Sequence, residues 1–234
     1  MRIIIGLFFC IVALQAVAQQ QQPKYIEDKY SIYCALNLAS ATGSYYNILK
    51  DGGRGGLKGG VSVGGLLNPY GRKRASTVFY GAEIGIQGDG REDPSTSVSG
   101  DFRVTNTSYW LNGLVRYRPI LWSSKINPYV DAFMGAKMIQ TSLIEQVDEE
   151  SSQTLDRWTK FTPNYGLGVG IGIKLFGSMK NNYLDIGIYY QQAEATKIVK
   201  PNSVVINSNF EFSSKQVLTT TNQFIIKIGI TGFH

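Results

Sequence analysis

The sequence predicts an all-β fold, an eight-stranded antiparallel up-and-down transmembrane β-barrel, on three observations. Apolar and non-apolar residues alternate with period 2 in eight segments, each of roughly 9 to 11 residues, the length a tilted strand needs to cross a bilayer. The parity opposite the apolar residues holds mainly glycine, with single charges near strand centres. Short, turn-rich connections alternate with long polar ones, as an up-and-down barrel requires.

Taken in order, residues 32–41 and 57–67 supply the first two strands, the second rich in glycine. In the third, Val78, Tyr80, Ala82, Ile84 and Ile86 oppose Phe79, Gly81, Glu83, Gly85 and Gln87. The fourth sets Tyr109, Leu111, Gly113, Val115 and Tyr117 outward and Trp110, Asn112, Leu114 and Arg116 inward. In the fifth, Val130, Ala132, Met134, Ala136 and Met138 alternate with Asp131, Phe133, Gly135 and Lys137. The sixth interleaves Tyr165, Leu167, Val169, Ile171 and Ile173 with four glycines and Lys174. Leu184, Ile186, Ile188 and Tyr190 oppose Asp185, Gly187, Tyr189 and Gln191 in the seventh, and Phe224, Ile226, Ile228 and Ile230 oppose Lys227 and Gly229 in the last.

The connections 68–76, 119–127 and 176–182 are short and read as periplasmic turns. The segments 45–56, 88–106, 140–161 and 193–221 read as long external loops. Tyr109, Tyr117, Tyr129, Tyr165, Tyr183 and Tyr190, near strand ends, read as an interfacial aromatic girdle, because a ring bearing a hydroxyl favours the hydrocarbon–water boundary.

Ahead of the barrel, Arg2, the apolar run of residues 3–14 and Ala16-Val17-Ala18 form a cleavable export signal. Three regions follow: a signal peptide at 1–18, a short periplasmic leader at 19–29 and an outer-membrane barrel at 30–234. Cys10 lies within the apolar run behind Phe8 and Phe9, without the small residues that lipidation requires. The mature chain then keeps one cysteine, Cys34, so no internal disulfide forms. Without Arg2, 22 basic residues face 17 acidic ones, a net charge of +5 scattered among loops, which does not mark a nucleic-acid partner.

Glu83, Arg116, Asp131, Lys137, Lys174, Asp185 and Lys227 share the non-apolar parity. In the dry core of a soluble sandwich, the competing fold, each would cost several kcal/mol unless paired. In a narrow barrel, three acids and four bases can pair across the lumen around trapped water. A charge-paired plug is thus expected, since eight strands enclose a space that side chains fill.

Catalytic and cofactor chemistry finds little support. The one histidine, His234, belongs to the periplasmic rim, away from any Ser-His-acid site at the outer rim. The glycines from Gly166 to Gly172 lack the spacing of a dinucleotide fingerprint and precede no helix. Glu145, Asp148, Glu149 and Glu150 read as a solvated acidic loop that weakly held cations visit. No cofactor is implied. The final strand, with Phe224, Ile226, Ile228, Ile230 and Phe233, reads as a C-terminal assembly signal for the barrel-insertion machinery.

The glycine-alternating strands at 56–67 and 164–175, the Tyr-Trp-Leu-Asn-Gly-Leu-Val-Arg-Tyr-Arg-Pro strand at 109–119 and the Asn-Pro-Tyr-Val-Asp-Ala-Phe strand start at 127–133 carry a family resemblance. Together with the signal peptide they resemble the small outer-membrane β-barrel proteins of Bacteroidetes, the PorT-like group, over essentially the whole mature chain. The resemblance implies a small barrel in the bacterial outer membrane, and the paired lumen charges and missing catalytic groups make it a non-enzymatic barrel with a largely plugged lumen. Such a barrel acts through its external loops or within an outer-membrane complex, a secretion complex among them. A narrow, porin-like channel for small solutes or ions is the alternative, and a lipid-modifying barrel enzyme a more distant one. The partners expected are outer-membrane lipid and lipopolysaccharide, the insertion machinery and a protein complex.

Overall fold

A computed structural model describes residues 29–71, 76–119, 125–146, 152–175, 182–209 and 211–233. The export signal, most of the leader and parts of the three short turns lie outside the described residues. Among the described residues, eight strands close into one antiparallel barrel. They are β1 (Tyr30–Ala41), β2 (Lys58–Leu67), β3 (Val78–Glu92), β5 (Asp101–Tyr117), β6 (Ile126–Gln146), β7 (Ser152–Lys174), β8 (Asn182–Ala193) and β13 (Gln223–Phe233). Sequence neighbours pair in turn, and β1 closes the ring against β13 from Ser31↔Phe233 to Ala41↔Gln223. Closure leaves the ring no free edge, so the sandwich alternative does not apply.

The registers fix the shape. Val78 pairs with Tyr117, and successive partners Val130, Val169, Ile188, Ile226 and Leu38 lead round to Gly59. Gly60 faces Gln87, which sets Gly59 level with Gly88, ten residues along β3 from Val78 (88 − 78). Ten residues at about 3.3 Å, spread over eight strand spacings of about 4.8 Å, tilt the strands by roughly 40°.

Parity decides what each face meets. Ile84, Leu111, Met134, Leu167, Ile188 and Ile228 are exposed on the outside. Tyr33, Phe79, Leu114, Phe133, Tyr189 and Ile225 form an apolar cluster inside. From Pro128 to Met138 the outward face of β6 carries no charge, and at this tilt it rises roughly 25 Å along the axis.

Interior rings fit because the facing strand offers glycine. A Cβ on Gly168 would overlap the Tyr189 ring, one on Gly85 the Trp110 ring, and one on Gly64 the Tyr33 ring. The alternating glycines thus make room for aromatics that fill the lumen.

Two expectations change. The segments 88–106 and 140–161 are largely strand, since β3, β5, β6 and β7 continue well past the apolar band. Their outward positions there, such as Arg103, Thr105 and Gln140, meet water, so polarity marked the end of the band and not of the strand. Phe102, Val104 and Leu143 still point inward and form a second cluster with Val199, Val204 and Ile206. The girdle also loses members: Tyr129 is buried in the lumen, and Tyr183 shares the inward parity of Asp185. Tyr165 is exposed outside, while Tyr109, Tyr117 and Tyr190 are half-buried on the outward parity.

The remaining loops are also structured. Residues Gly43–Asp51 form a helix, α1, that buries Tyr45 and Leu49 against Ile139 and Ile198. Short strands β9 (Thr196–Val199) and β12 (Gln216–Thr219) pair, and β10 (Val205–Ile206) pairs with β4 (Ser95–Thr96) and β11 (Phe212–Ser213). The barrel therefore carries a cap at its long-loop end.

Gly168→Val is expected to destabilise the barrel by about 1–3 kcal/mol through overpacking. The same change at outward Gly113, where a Cβ has ordinary clearance at 3.7 Å, is expected to be near neutral. Urea unfolding of both variants in detergent checks the difference.

Candidate functional site

The charged groups of the lumen and their partners lie in three layers, built from inward positions on seven of the eight strands. Nearest the short-turn end, Arg116 on β5 faces its cross-strand partner Asp131 on β6. Its Nε and Nη2 donate to the two carboxylate oxygens at 2.8 Å each, a bidentate pair. Nη1 reaches Asp185 Oδ2 at 3.5 Å, and the Thr231 hydroxyl also donates to that oxygen. The Tyr189 hydroxyl donates to Asp131 at 2.8 Å. Tyr129 shares the inward parity of Asp131, and its ring lies 3.8 Å from the guanidinium carbon, a cation–π contact.

The middle layer centres on Glu83. Lys227 donates to both of its oxygens at 2.6 Å, Tyr33 donates at 2.9 Å and the Trp110 indole at 3.0 Å. The carboxylate is thus held by one cation and two neutral donors.

The third layer lies beneath α1 and centres on Asp89, which shares the inward parity of Glu83 and Gln87. A β-bulge shifts the register along β3 between Gly88 and Gly90, so that Arg91 beyond it faces outward with Thr105. Gly90 takes the left-handed φ of +112° that the bulge needs. Asp89 accepts from Gln87 at 2.7 Å, from Ser108 and from Lys58 at 3.4 Å. Gln87 and Gln191 join through Gln223 at 3.2 and 2.6 Å. Lys58 also reaches the Tyr45 hydroxyl of α1 at 3.5 Å. Burial foremost, with the Asp89 carboxylate, pushes the Tyr45 phenol well above its ordinary range, so it stays neutral under the cap. Above it, Arg54 and Glu92 pair at 3.4 Å.

The candidate residues distribute as follows. Arg116, Asp131 and Asp185 share the first layer, and Glu83 and Lys227 the second. Lys137 is fully buried, has no hydrogen-bond partner among the described residues, and interacts electrostatically with Asp89 and Lys58. Lys174 is half-buried at the short-turn end of β7, where its backbone N–H bonds to Lys125 at 2.8 Å. Phe224, Ile226, Ile228 and Ile230 are exposed outside, while the Phe233 side chain and His234 lie outside the described residues. So do Asp148, Glu149 and Glu150.

Lys58, Asp89, Tyr33 and Trp110 join the polar network without having been singled out as site residues. Lys58 shares the inward parity of Ser62, which was a readable signal. Gly-Asp-Gly at 88–90 reads as a turn, and only pairing shows it to be a bulge.

Every carboxylate in the three layers is taken up by a cation or by hydrogen-bond donors, and none faces open space. Such an arrangement braces the lumen. Among the described residues, no group of three or more His, Cys, Asp or Glu side chains is placed to hold a metal ion.

No family model matches the chain, and no curated protein does. Among solved structures it is similar to the N-terminal β-barrel domain of Pseudomonas aeruginosa OprF, at 11% identity and TM-score 0.36, over 88% of this chain and 98% of that one. A major outer membrane protein from Thermus thermophilus matches at 14% and 0.39, over 88% and 99%. The translocator domain of autotransporter NalP from Neisseria meningitidis matches at 7% and 0.28, over 95% and 92%. Likenesses this distant carry no argument about this chain, whose architecture rests on its own strand registers.

Removing one partner of a buried pair leaves the other charge uncompensated. Arg116→Met and Lys227→Met are each expected to lower unfolding stability by about 3–5 kcal/mol. Lys174→Met, at a strand end, is expected to change it by less than about 0.5 kcal/mol. Denaturant titration in one detergent compares all three.

Proposed function

We propose that this protein is a non-enzymatic outer-membrane β-barrel with a closed lumen, working through the capped end that carries α1 and the β9–β12 hairpin. The observation that carries this reading is the filled interior. Three polar layers cross the lumen, apolar rings pack among them, and Tyr45 and Leu49 of α1 close the top.

Location follows from the outer surface. An apolar, uncharged belt roughly 25 Å tall on a ring without free edges is a surface for hydrocarbon. In water it would be an aggregation hazard of many exposed large side chains. The export signal supplies the route, and insertion places the short turns in the periplasm and the cap outside. Residues 224–233 serve as the assembly signal. The resemblance to the PorT-like group adds membership of an outer-membrane complex, a secretion complex among them, with the cap as the docking end.

The channel alternative requires water and ions to pass all three layers and α1. Planar-bilayer recording of the refolded full chain is expected to show no steady conductance. A steady current that disappears in Arg116→Ala or Lys174→Ala would overturn the closed-lumen reading.

A further inference from the structure

We infer that Arg91, Arg103 and Arg157 form a phosphate-binding patch for a phosphorylated glycolipid of the outer leaflet, an inference that rests on the membrane reading above. Arg91 on β3 pairs with Thr105 on β5, Thr105 with Ser142 on β6, and Ser142 with Arg157 on β7. These four residues make one row across the outside of the barrel. Arg103 follows Thr105 by one outward position on β5, so it stands beside the same row. Arg91 and Arg157 are exposed and Arg103 half-exposed.

Arg91 and Arg157 stand three strand spacings apart, roughly 15 Å, a span that flexible arginine stems can close onto one headgroup. Guanidinium forks bind phosphate oxygens in pairs. Of the nearby acids, Glu92 pairs with Arg54, and Asp156 stands opposite the buried Leu143, off the outward row, and accepts the Arg157 backbone N–H at 2.7 Å. Asp101 lies farther from the belt on the parity of Arg103.

Height selects the ligand. Ile86, Tyr109 and Phe161 are the outermost apolar residues on the outward faces of β3, β5 and β7. Arg91 and Arg157 stand roughly 10 Å above that edge, taking about 3.3 Å per residue and the barrel tilt. A phospholipid headgroup layer spans only about 6 Å on each side of the hydrocarbon, so the row favours a taller sugar headgroup. Thr105, Thr107 and Gln140, half-exposed on the same face, offer hydroxyl and amide groups to sugar hydroxyls, and Gln140 is held in place by donating to the buried Ser142 hydroxyl at 3.2 Å. The combination is cationic forks set in a hydroxyl-rich face just above an aromatic edge.

The test uses the full chain refolded into phosphatidylcholine vesicles, with insertion scored by protease protection of the barrel. Binding is then titrated with phosphorylated lipid A, dephosphorylated lipid A and phosphatidylglycerol. The expected result is normal insertion of the wild type and of the Arg91→Gln, Arg103→Gln, Arg157→Gln triple variant, with lipid A binding weakened more than about tenfold in the variant. Dephosphorylated lipid A and phosphatidylglycerol are expected to bind the wild type at least as weakly. Insertion with unchanged lipid A binding in the variant, or equal binding of phosphatidylglycerol, would overturn the site alone. Failure of the wild type to insert would overturn both this inference and the membrane reading. If the triple variant fails to insert, the single variants Arg91→Gln and Arg157→Gln replace it, and unchanged lipid A binding in both overturns the site.

Discussion

Closure of the sheet by β1 against β13 is the constraint on which the other features depend. An open sheet of this composition would leave a row of backbone donors and acceptors without partners along each edge. Once eight strands close with a shear of ten, the interior width is set, and it is narrow enough for side chains to fill. Inward positions must then be small, aromatic or polar and mutually satisfied, while outward positions carry the exposed apolar belt.

Within that space, packing and charge pairing solve one problem together. A ring such as Tyr189 fills volume over Gly168, and its hydroxyl also serves Asp131. Tyr33 does the same over Gly64 for Glu83. Each buried carboxylate collects a cation and neutral donors, which offsets the cost of removing it from water. The plug is therefore a network in which apolar filling and polar satisfaction share residues, and such networks tolerate little partial loss.

Sealing the lumen moves the accessible chemistry to the ends. At the long-loop end, β3, β5, β6 and β7 rise past the belt and carry their own apolar cluster, with Phe102, Val104 and Leu143 packed against Val199, Val204 and Ile206. A structured surface of this kind presents side chains in fixed positions, which bare loops would not. The row through Arg91 and Arg157 exists because strand pairing continues above the belt and holds those residues in register.

Period-2 parity is local, so the sequence alone determined the strand count, which residues face inward at Glu83, Arg116, Asp131, Lys137, Asp185 and Lys227, and which belt faces out. What it could not determine is which charges meet. Lys227 finds Glu83 across 144 positions of sequence, and Arg116 takes both Asp131 and Asp185, because the shear of the closed ring decides which inward positions share a level. The bulge at Gly88–Gly90 shows only in the pairing with β5, and it turns Arg91 outward, while Tyr129 shares the inward parity of Asp131 and there meets the Arg116 guanidinium. Polar alternation past residue 140 looked like loop, since composition records solvent exposure while hydrogen bonding to a neighbouring strand decides strand length. Facing is written residue by residue along the chain; meeting depends on register between distant segments, and only the closed tertiary structure sets that.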